Sequence, residues 1–355
     1  MDAKKMKVAF YVYPTAFQSP GGGEILLLKT KEYLEKEGAS VTLLDPWRDK
    51  LKDFDILHTF GSVKDALPLM ELAHCLGVKN VLSTVCWYSW KSAWGICADW
   101  KTRCLSVVRH AAKVLVPVFP SARKRMMYLS DLLVPNSESE AQQLQRFFCA
   151  SRRKIVVVPN AVDSVFADAT PDLFVKKYQL RDFILCVGRI EPRKNQLGVI
   201  RALRNVDIPL VLIGDYVVQY RSYYEACRRE AGPGTHFLGN IPHDSELLRS
   251  AYAACAVFLL ATWLETPGLA ALEAGLAGAK VVVTAEGATR EYFGPYAEYV
   301  QPECPREIRE RTLAAIRKPA TPLLQEHIRQ NYSWPLVAKK ILTAYQAMGV
   351  ESRSR

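Results

Sequence analysis

Apolar residues along this chain fall in short uniform runs, separated by stretches with a three-to-four residue apolar rhythm. Val8–Tyr13, Val41–Leu44, Ile56–His58, Asn80–Val85, Asp131–Pro135 and Lys154–Pro159 read as strands in the first half. Phe183–Val187, Leu210–Gly214, His236–Leu238, Val257–Leu260 and Lys280–Thr284 read as strands in the second. Runs this short, without polar alternation, predict strands buried on both faces. A helix is predicted over about Glu24–Glu37, with Ile25, Leu28 and Leu34 on its apolar side and Gly38 as its stop. Others fall at about Lys64–Leu76, Gln196–Arg204 and Ser245–Ala254, and a last one begins at Ser333-Trp334-Pro335. Strand–helix alternation of this kind predicts an α/β fold with doubly wound sheets. The pattern pauses over about Phe166–Leu180 and then restarts, which places a domain boundary near residue 170.

One stretch, Val257–Glu291, concentrates the candidate chemistry. After the strand Val257–Leu260 comes a short polar-aromatic loop ending at Glu265; Thr266 then suits an N-cap and Pro267 a first helical residue. Leu269, Leu272 and Leu276 mark the buried face of the helix, and Gly278 ends it. The helix start would offer unpaired backbone N–H groups near Gly268 and Leu269, a site for an anion. Glu265 in the loop and Glu273 inside the helix bracket it, an odd placement of acids unless a ligand lies between them.

Upstream, the strand Phe183–Val187 runs into Gly188-Arg189-Ile190-Glu191-Pro192-Arg193-Lys194-Asn195. Arg189 and Lys194, also at a strand exit of the same domain, suit a group with two or more negative charges, such as a diphosphate. Glu273 could then hold a ribose diol and Glu265 the hydroxyls of a sugar beyond the diphosphate. Singly, each of these residues reads more readily as a solvated loop cation, a loop acid or an exposed helix acid; their joint position at strand ends favours a site. Gly21, Gly22 and Gly23 after the first strand let backbone approach an anion closely. A tight turn needing positive φ explains them as well. Asp53-Phe54-Asp55 stands at a strand entry, the wrong end of a parallel sheet for ligands, and is read as structural.

Composition narrows the class. With 355 residues, 49% hydrophobic and 23% charged, the chain has room for two cores. No run approaches a membrane span. The first residues run into a strand and do not read as a signal peptide. Nine cysteines without a Cys-x-x-Cys spacing read as reduced thiols. The net charge of +11 is uneven. Between Trp87 and Tyr128 stand eight cations, Lys91, Lys101, Arg103, Arg109, Lys113, Arg123, Lys124 and Arg125, against the single acid Asp99, together with Trp87, Trp90, Trp94 and Trp100. That mixture suits an anionic membrane surface or lipid phosphate. Its alternative is a solvated helical face over a few core tryptophans. Nucleic acid is not expected, since no recognition motif accompanies the charge.

Taken together, Gly188-Arg189-x4-Lys194-Asn195, the Glu265-x7-Glu273 spacing within ETPGLAALEA, the Gly21-Gly22-Gly23-Glu24 loop, Phe237-Leu238-Gly239-Asn240-Ile241-Pro242 and the Pro-Asn turns resemble a retaining glycosyltransferase of family 4. The resemblance implies a GT-B fold, two Rossmann-like doubly wound domains facing across a cleft. Residues 1–170 would be the acceptor-binding domain, with the last helix (about 335–350) packing back on it, and 171–334 the donor-binding domain. It implies a nucleoside-diphosphate sugar as co-substrate (GDP- or UDP-linked, GDP-mannose among the candidates), no cofactor and no metal. Arg189 and Lys194 would hold the diphosphate, with Asn195 beside them. Glu273 would take the ribose. Glu265, with the backbone of Pro267, Gly268 and Leu269, would face the sugar and carry catalysis with the two cations. Gly21, Gly22 and Gly23 would approach the diphosphate from the other domain, and the backbone near Ile241 would meet the base. The acceptor would be lipid-linked or a glycan, as in cell-surface polysaccharide or lipopolysaccharide assembly, at the cytoplasmic face of the plasma membrane. One departure stands out: Cys86 and Trp87 occupy the strand exit where many members of the family place a histidine. A GT-B nucleotide-sugar epimerase and a non-catalytic nucleotide-sugar-binding membrane subunit are the alternatives.

Overall fold

A computed structural model describes residues 5–18, 21–96, 100–115 and 121–349. The chain divides into two compact units. The first comprises Met1–Tyr88, Lys113–Ala161 and Tyr332–Arg355; the second comprises Ser89–Ala112 and Val162–Asn331. The basic, tryptophan-rich stretch is therefore divided, and Ser89–Ala112 belongs with the second unit.

In the first unit five strands, β1 (Lys7–Tyr11), β2 (Ser40–Leu43), β3 (Ile56–Phe60), β4 (Lys79–Ser83) and β5 (Leu132–Leu133), form a parallel sheet in the order β2-β1-β3-β4-β5. Alternate residues feed two cores. Val8 and Phe10 face the side closed by the helices Gly22–Lys36 and Trp334–Ala347; Ala9 and Tyr11 face the other. Burial on both faces is the reason these strands read as unbroken apolar runs. The expected strand Lys154–Pro159 does not form: Lys154 ends a 3-10 helix, Arg152–Lys154, and 155–159 follow without joining the sheet as a strand. Ile155 makes an isolated bridge to Leu133, and Val156 and Val158 donate to Leu133 and Pro135.

In the second unit β6 (Ile184–Val187), β7 (Leu210–Ile213), β8 (Thr235–Phe237), β9 (Val257–Leu260), β10 (Val281–Thr284) and β11 (Glu298–Val300) are again all parallel. Their order, β11-β10-β9-β6-β7-β8, reverses between β6 and β9. Parallel strands put all their carboxyl ends on one edge, and a reversal opens a crevice there, because the connections on its two sides run to opposite faces. Gly188–Asn195 leaves β6 and Ala261–Gly268 leaves β9, so both candidate loops start at that crevice. The strand β11 was not read from sequence.

Candidate functional site

The loop after β9 reaches its helix differently from the sequence expectation. The Thr266–Pro267 bond is cis, Gly268 is the N-cap with φ 91°, and the helix runs Leu269–Leu276. Thr266 is therefore not the cap, and Pro267 precedes the helix rather than opening it. The first N–H groups without helical partners belong to Leu269 and its neighbours. Gly268 leaves no room for a larger residue: a Cβ there would stand 2.9 Å from Glu265 Cγ. Glu265 is itself pinned through its backbone. Its N–H donates to Glu286 O at 3.2 Å, and its carbonyl accepts from Ala288 N at 3.1 Å.

The Glu265 carboxylate meets the β6 exit loop. Lys194 Nζ donates to its Oε2 at 2.8 Å, and Arg193 Nη1 lies 3.9 Å from the same oxygen. Burial alone would raise the Glu265 carboxyl. The charges of Lys194 and Arg193 and the Lys194 hydrogen bond outweigh it and hold the group below the usual carboxylate range. Burial pushes the Lys194 ammonium down, and Glu265 offsets part of that shift. Arg193 also donates to Leu264 O at 3.2 Å and to Glu191 Oε1 at 3.1 Å. Arg189, half-exposed, has its guanidinium 3.9 Å from Glu191. The structure thus brings Lys194 and Glu265 together and adds Arg193, which sequence reasoning passed over although it stands in the same loop.

Asn195 takes up a supporting position. Its backbone is left-handed (φ 57°), and its Nδ2 donates to Ala261 O at 3.0 Å and Pro302 O at 2.9 Å. Both amide hydrogens serve the protein, so the side chain ties the β6 and β9 exits together. Ile241 is buried, which leaves its backbone as the part able to face a ligand.

Glu273 lies inside the helix, 6% exposed, and each of its oxygens has a protein partner. Tyr252 Oη donates to Oε2 at 2.8 Å, and His243 Nε2 stands 2.7 Å from Oε1. Neither partner was named from sequence; they lie 21 and 30 positions away, and no spacing rule points to them.

In the first unit the helix begins at Gly22, two residues before the predicted start, with Gly21 as its N-cap. Glu24 turns back to accept from Gly21 N at 2.7 Å and from Tyr13 Oη at 3.1 Å. None of Gly21, Gly22 and Gly23 has positive φ, so the turn explanation falls. A Cβ on Gly23 would meet open space. Cys86, at the β4 exit, is 3% exposed and part of the apolar core. Its N–H donates to Glu140 Oε1 at 2.6 Å, and Thr84 Oγ1 and Asn136 N donate to the same buried carboxylate. Val85 between them has φ 41°, a costly conformation for a β-branched residue. His58 is wholly buried in β3, 2.5 Å from Tyr345 Oη and 2.8 Å from Ser83 Oγ.

The tryptophan-rich stretch is partly committed to protein contacts. Lys91 lies 2.9 Å from Glu286 and 3.1 Å from Glu303 and donates to Gln301 at 2.6 Å. In the first unit Arg125 pairs with Glu71 at 3.2 Å. Trp90 and Trp94 remain about half exposed, and Leu105 and Val108 are exposed on the helix Trp100–Leu115. Residues 97–99 and 116–120, including Asp99, lie outside the described residues, as do the side chains of Trp100 and Lys113.

Over 319 residues the chain is 25% identical to a D-inositol 3-phosphate glycosyltransferase of Xylanimonas cellulosilytica, covering 76% of each. Over 94 residues it is 33% identical to the N-acetylgalactosamine-N,N'-diacetylbacillosaminyl-diphospho-undecaprenol 4-alpha-N-acetylgalactosaminyltransferase of Campylobacter jejuni, 25% of each chain. Anabaena Alr3699/HepE, solved in complex with UDP, superposes with a TM-score of 0.70 at 17% identity, over 96% of this chain and all of that one. The fold is GT-B. Residues 174–333 match the family model described as Glycosyl transferases group 1.

Proposed function

We propose that this protein is a retaining, metal-independent glycosyltransferase of family 4. It moves a sugar from a UDP- or GDP-linked donor to a hydroxyl of a lipid-linked or glycan acceptor. The observation that carries the reading is the pairing of Lys194 with Glu265 at the β6–β9 crevice, beside the helix starting at Leu269. Cations and a helix start at one crevice suit a diphosphate, whose departure they would assist by neutralising its charge without a metal ion. Arg189 and Lys194 take that role, with Arg193 beside them.

Glu265, held ionised by its cations, suits the positive charge that develops at the sugar carbon as the donor bond breaks. Its backbone anchoring fixes it for that task. In the retaining course the acceptor hydroxyl approaches the face the diphosphate leaves and gives its proton to the departing phosphate. Glu273 faces the ribose, and the backbone at Ile241 the base. Gly21, Gly22 and Gly23, not required by the conformation of their turn, suit close approach of an anionic group to their backbone.

The undecaprenol-linked compound in the name of the Campylobacter relative favours a lipid-linked acceptor. Exposed Trp90, Trp94, Leu105 and Val108 among cations favour work at the anionic cytoplasmic surface of a membrane. Among the described residues no helix is long and apolar enough to cross one.

A thermal-shift panel of nucleotide sugars identifies the donor, since a ligand of the folded state raises its stability. Transfer assays then follow with Glu265→Ala and with Arg189→Ala/Lys194→Ala. Folded variants without transfer are expected; undiminished transfer overturns the reading. Sugar conversion by the donor alone, without acceptor, would point to an epimerase instead.

A further inference from the structure

Glu273 is held from two sides by one segment of chain. Ser245 caps the helix Glu246–Ala254, its Oγ accepting from Leu248 N at 3.2 Å and donating to Pro242 O at 2.6 Å. That arrangement fixes the turn carrying His243 to the helix carrying Tyr252. Phe166 packs against both rings, with centroids 5.8 Å from each. A carboxylate can only accept, so the hydrogen between His243 Nε2 and Glu273 Oε1 belongs to the imidazole. Tyr252 is fully buried, and burial and the Glu273 charge raise its pKa well above the ordinary value, so it remains a donor. Each carboxylate oxygen therefore receives one protein hydrogen bond and retains a lone pair for another. Tyr252 closes the inner side, while the His243 side chain, about one-third exposed, marks the open one.

We propose that His243 is a positioning residue for nucleoside recognition: its Nε2–H fixes the plane of the Glu273 carboxylate so that the free lone pairs meet both hydroxyls of a ribose diol. The proposal rests on the reading of Glu273 as the ribose ligand. A carboxylate held at one oxygen alone can swing about its Cγ–Cδ bond. Held at both, it presents two acceptors at a fixed spacing, and losing the outer donor costs selectivity for the diol more than affinity for the diphosphate.

The test measures calorimetric affinity for UDP and GDP, each beside its 2′-deoxy form, with the full-length wild type, His243→Ala, His243→Gln, Tyr252→Phe and Glu273→Ala. The wild type is expected to prefer the ribose form of the nucleotide it binds. His243→Ala should reduce that preference about tenfold while changing affinity for the deoxy form little, and Gln, which returns an N–H near the Nε2 position, should restore most of it. Tyr252→Phe should erode it as well. In donor kinetics the loss should raise KM and leave kcat within about twofold. If His243→Ala weakens both forms equally, or Gln fails to restore the preference in a folded variant, the proposal is wrong while the ribose reading stands. If Glu273→Ala itself leaves the preference intact, the ribose reading falls and takes the proposal with it.

Discussion

Lys194 Nζ and Glu265 Oε2 stand 2.8 Å apart although 71 positions separate them in sequence, and both side chains are largely withdrawn from solvent. Removing one partner of such a pair leaves the other buried with its charge uncompensated. Lys194→Met is therefore expected to destabilise the second unit by about 3 kcal/mol. Adding Glu265→Gln should recover a large part of that loss, because the stranded charge goes with it. Denaturant unfolding of the two single variants and the double variant measures the coupling, and additive losses would show the pair to be incidental.

The same pair sets a pH limit. Glu265 is held below its unfolded value, so the stability it contributes is complete above the ordinary carboxylate range and is lost as pH falls through the lower folded value. Glu265→Gln should flatten that acid limb. Parallel unfolding titrations of wild type and variant from neutral pH downward read the difference, and identical acid limbs would count against it.

Gly287 is the narrowest point in the support of Glu265. With φ 104°, a Cβ there would fall 2.0 Å from the Glu265 carbonyl oxygen. Gly287→Ala must push the Glu265 backbone away or break its pairing with the β10 exit. On the proposed role of Glu265 at the sugar, where small displacements cost rate steeply, a folded variant with transfer reduced about a hundredfold is expected. A folded Gly287→Ala enzyme of normal kcat would show that the position of Glu265 is not critical.

Asn195, expected beside the diphosphate, has a structural task in the second unit. Its two Nδ2 hydrogen bonds join the β6 exit to Ala261 and Pro302. Asn195→Ala removes both and leaves two buried carbonyls unsatisfied, a loss of about 2–3 kcal/mol. Asn195→Gly relieves the left-handed backbone but loses the same bonds, so it should fall close to Ala. A thermal scan in which Gly restores the wild-type midpoint would assign the role of Asn195 to its backbone.

These residues show what could be read from the chain and what could not. Val257–Leu260 and Ile184–Val187 are buried on both faces, and apolar continuity marks such strands directly. Glu298–Val300 pairs only with β10 at the sheet edge, is partly exposed, and left no comparable run. Arg189, Lys194 and Glu265 drew attention because they stand in loops that leave strands, and Glu273 because it lies eight positions beyond Glu265 in the helix that follows. The Pro-at-first-turn rule misplaced the helix because Gly268 takes the capping position itself. Tyr252 and His243 act through folding of a separate loop and helix onto Glu273, a relation that no local periodicity encodes. Cys86 drew notice as a missing histidine, whereas the structure sets it in the core and uses its N–H to satisfy Glu140.

His58 gives the first unit a pH dependence of its own. It is fully buried between Tyr345 and Ser83, and burial pushes its pKa from 6.5 down to about 3. The folded state therefore keeps it neutral at pH values where the unfolded chain already binds a proton. Stability contributed this way is complete above the unfolded value and is lost as pH falls from about 6.5 toward 3, at about 1.4 kcal/mol per pH unit. By pH 5 the loss amounts to about 2 kcal/mol. His58→Gln cannot titrate and keeps polar groups for Tyr345 and Ser83; it should be less stable than wild type at pH 7.5 through imperfect packing, yet lose less on acidification. Hydrogen exchange of the β3 amides reads the first unit separately from the second. Between pH 7.5 and 5, protection in the wild type should fall by about 2 kcal/mol more than in His58→Gln, after correction for the intrinsic exchange rate. Equal losses would mean that His58 finds a proton without opening the fold, which its two short contacts and complete burial oppose.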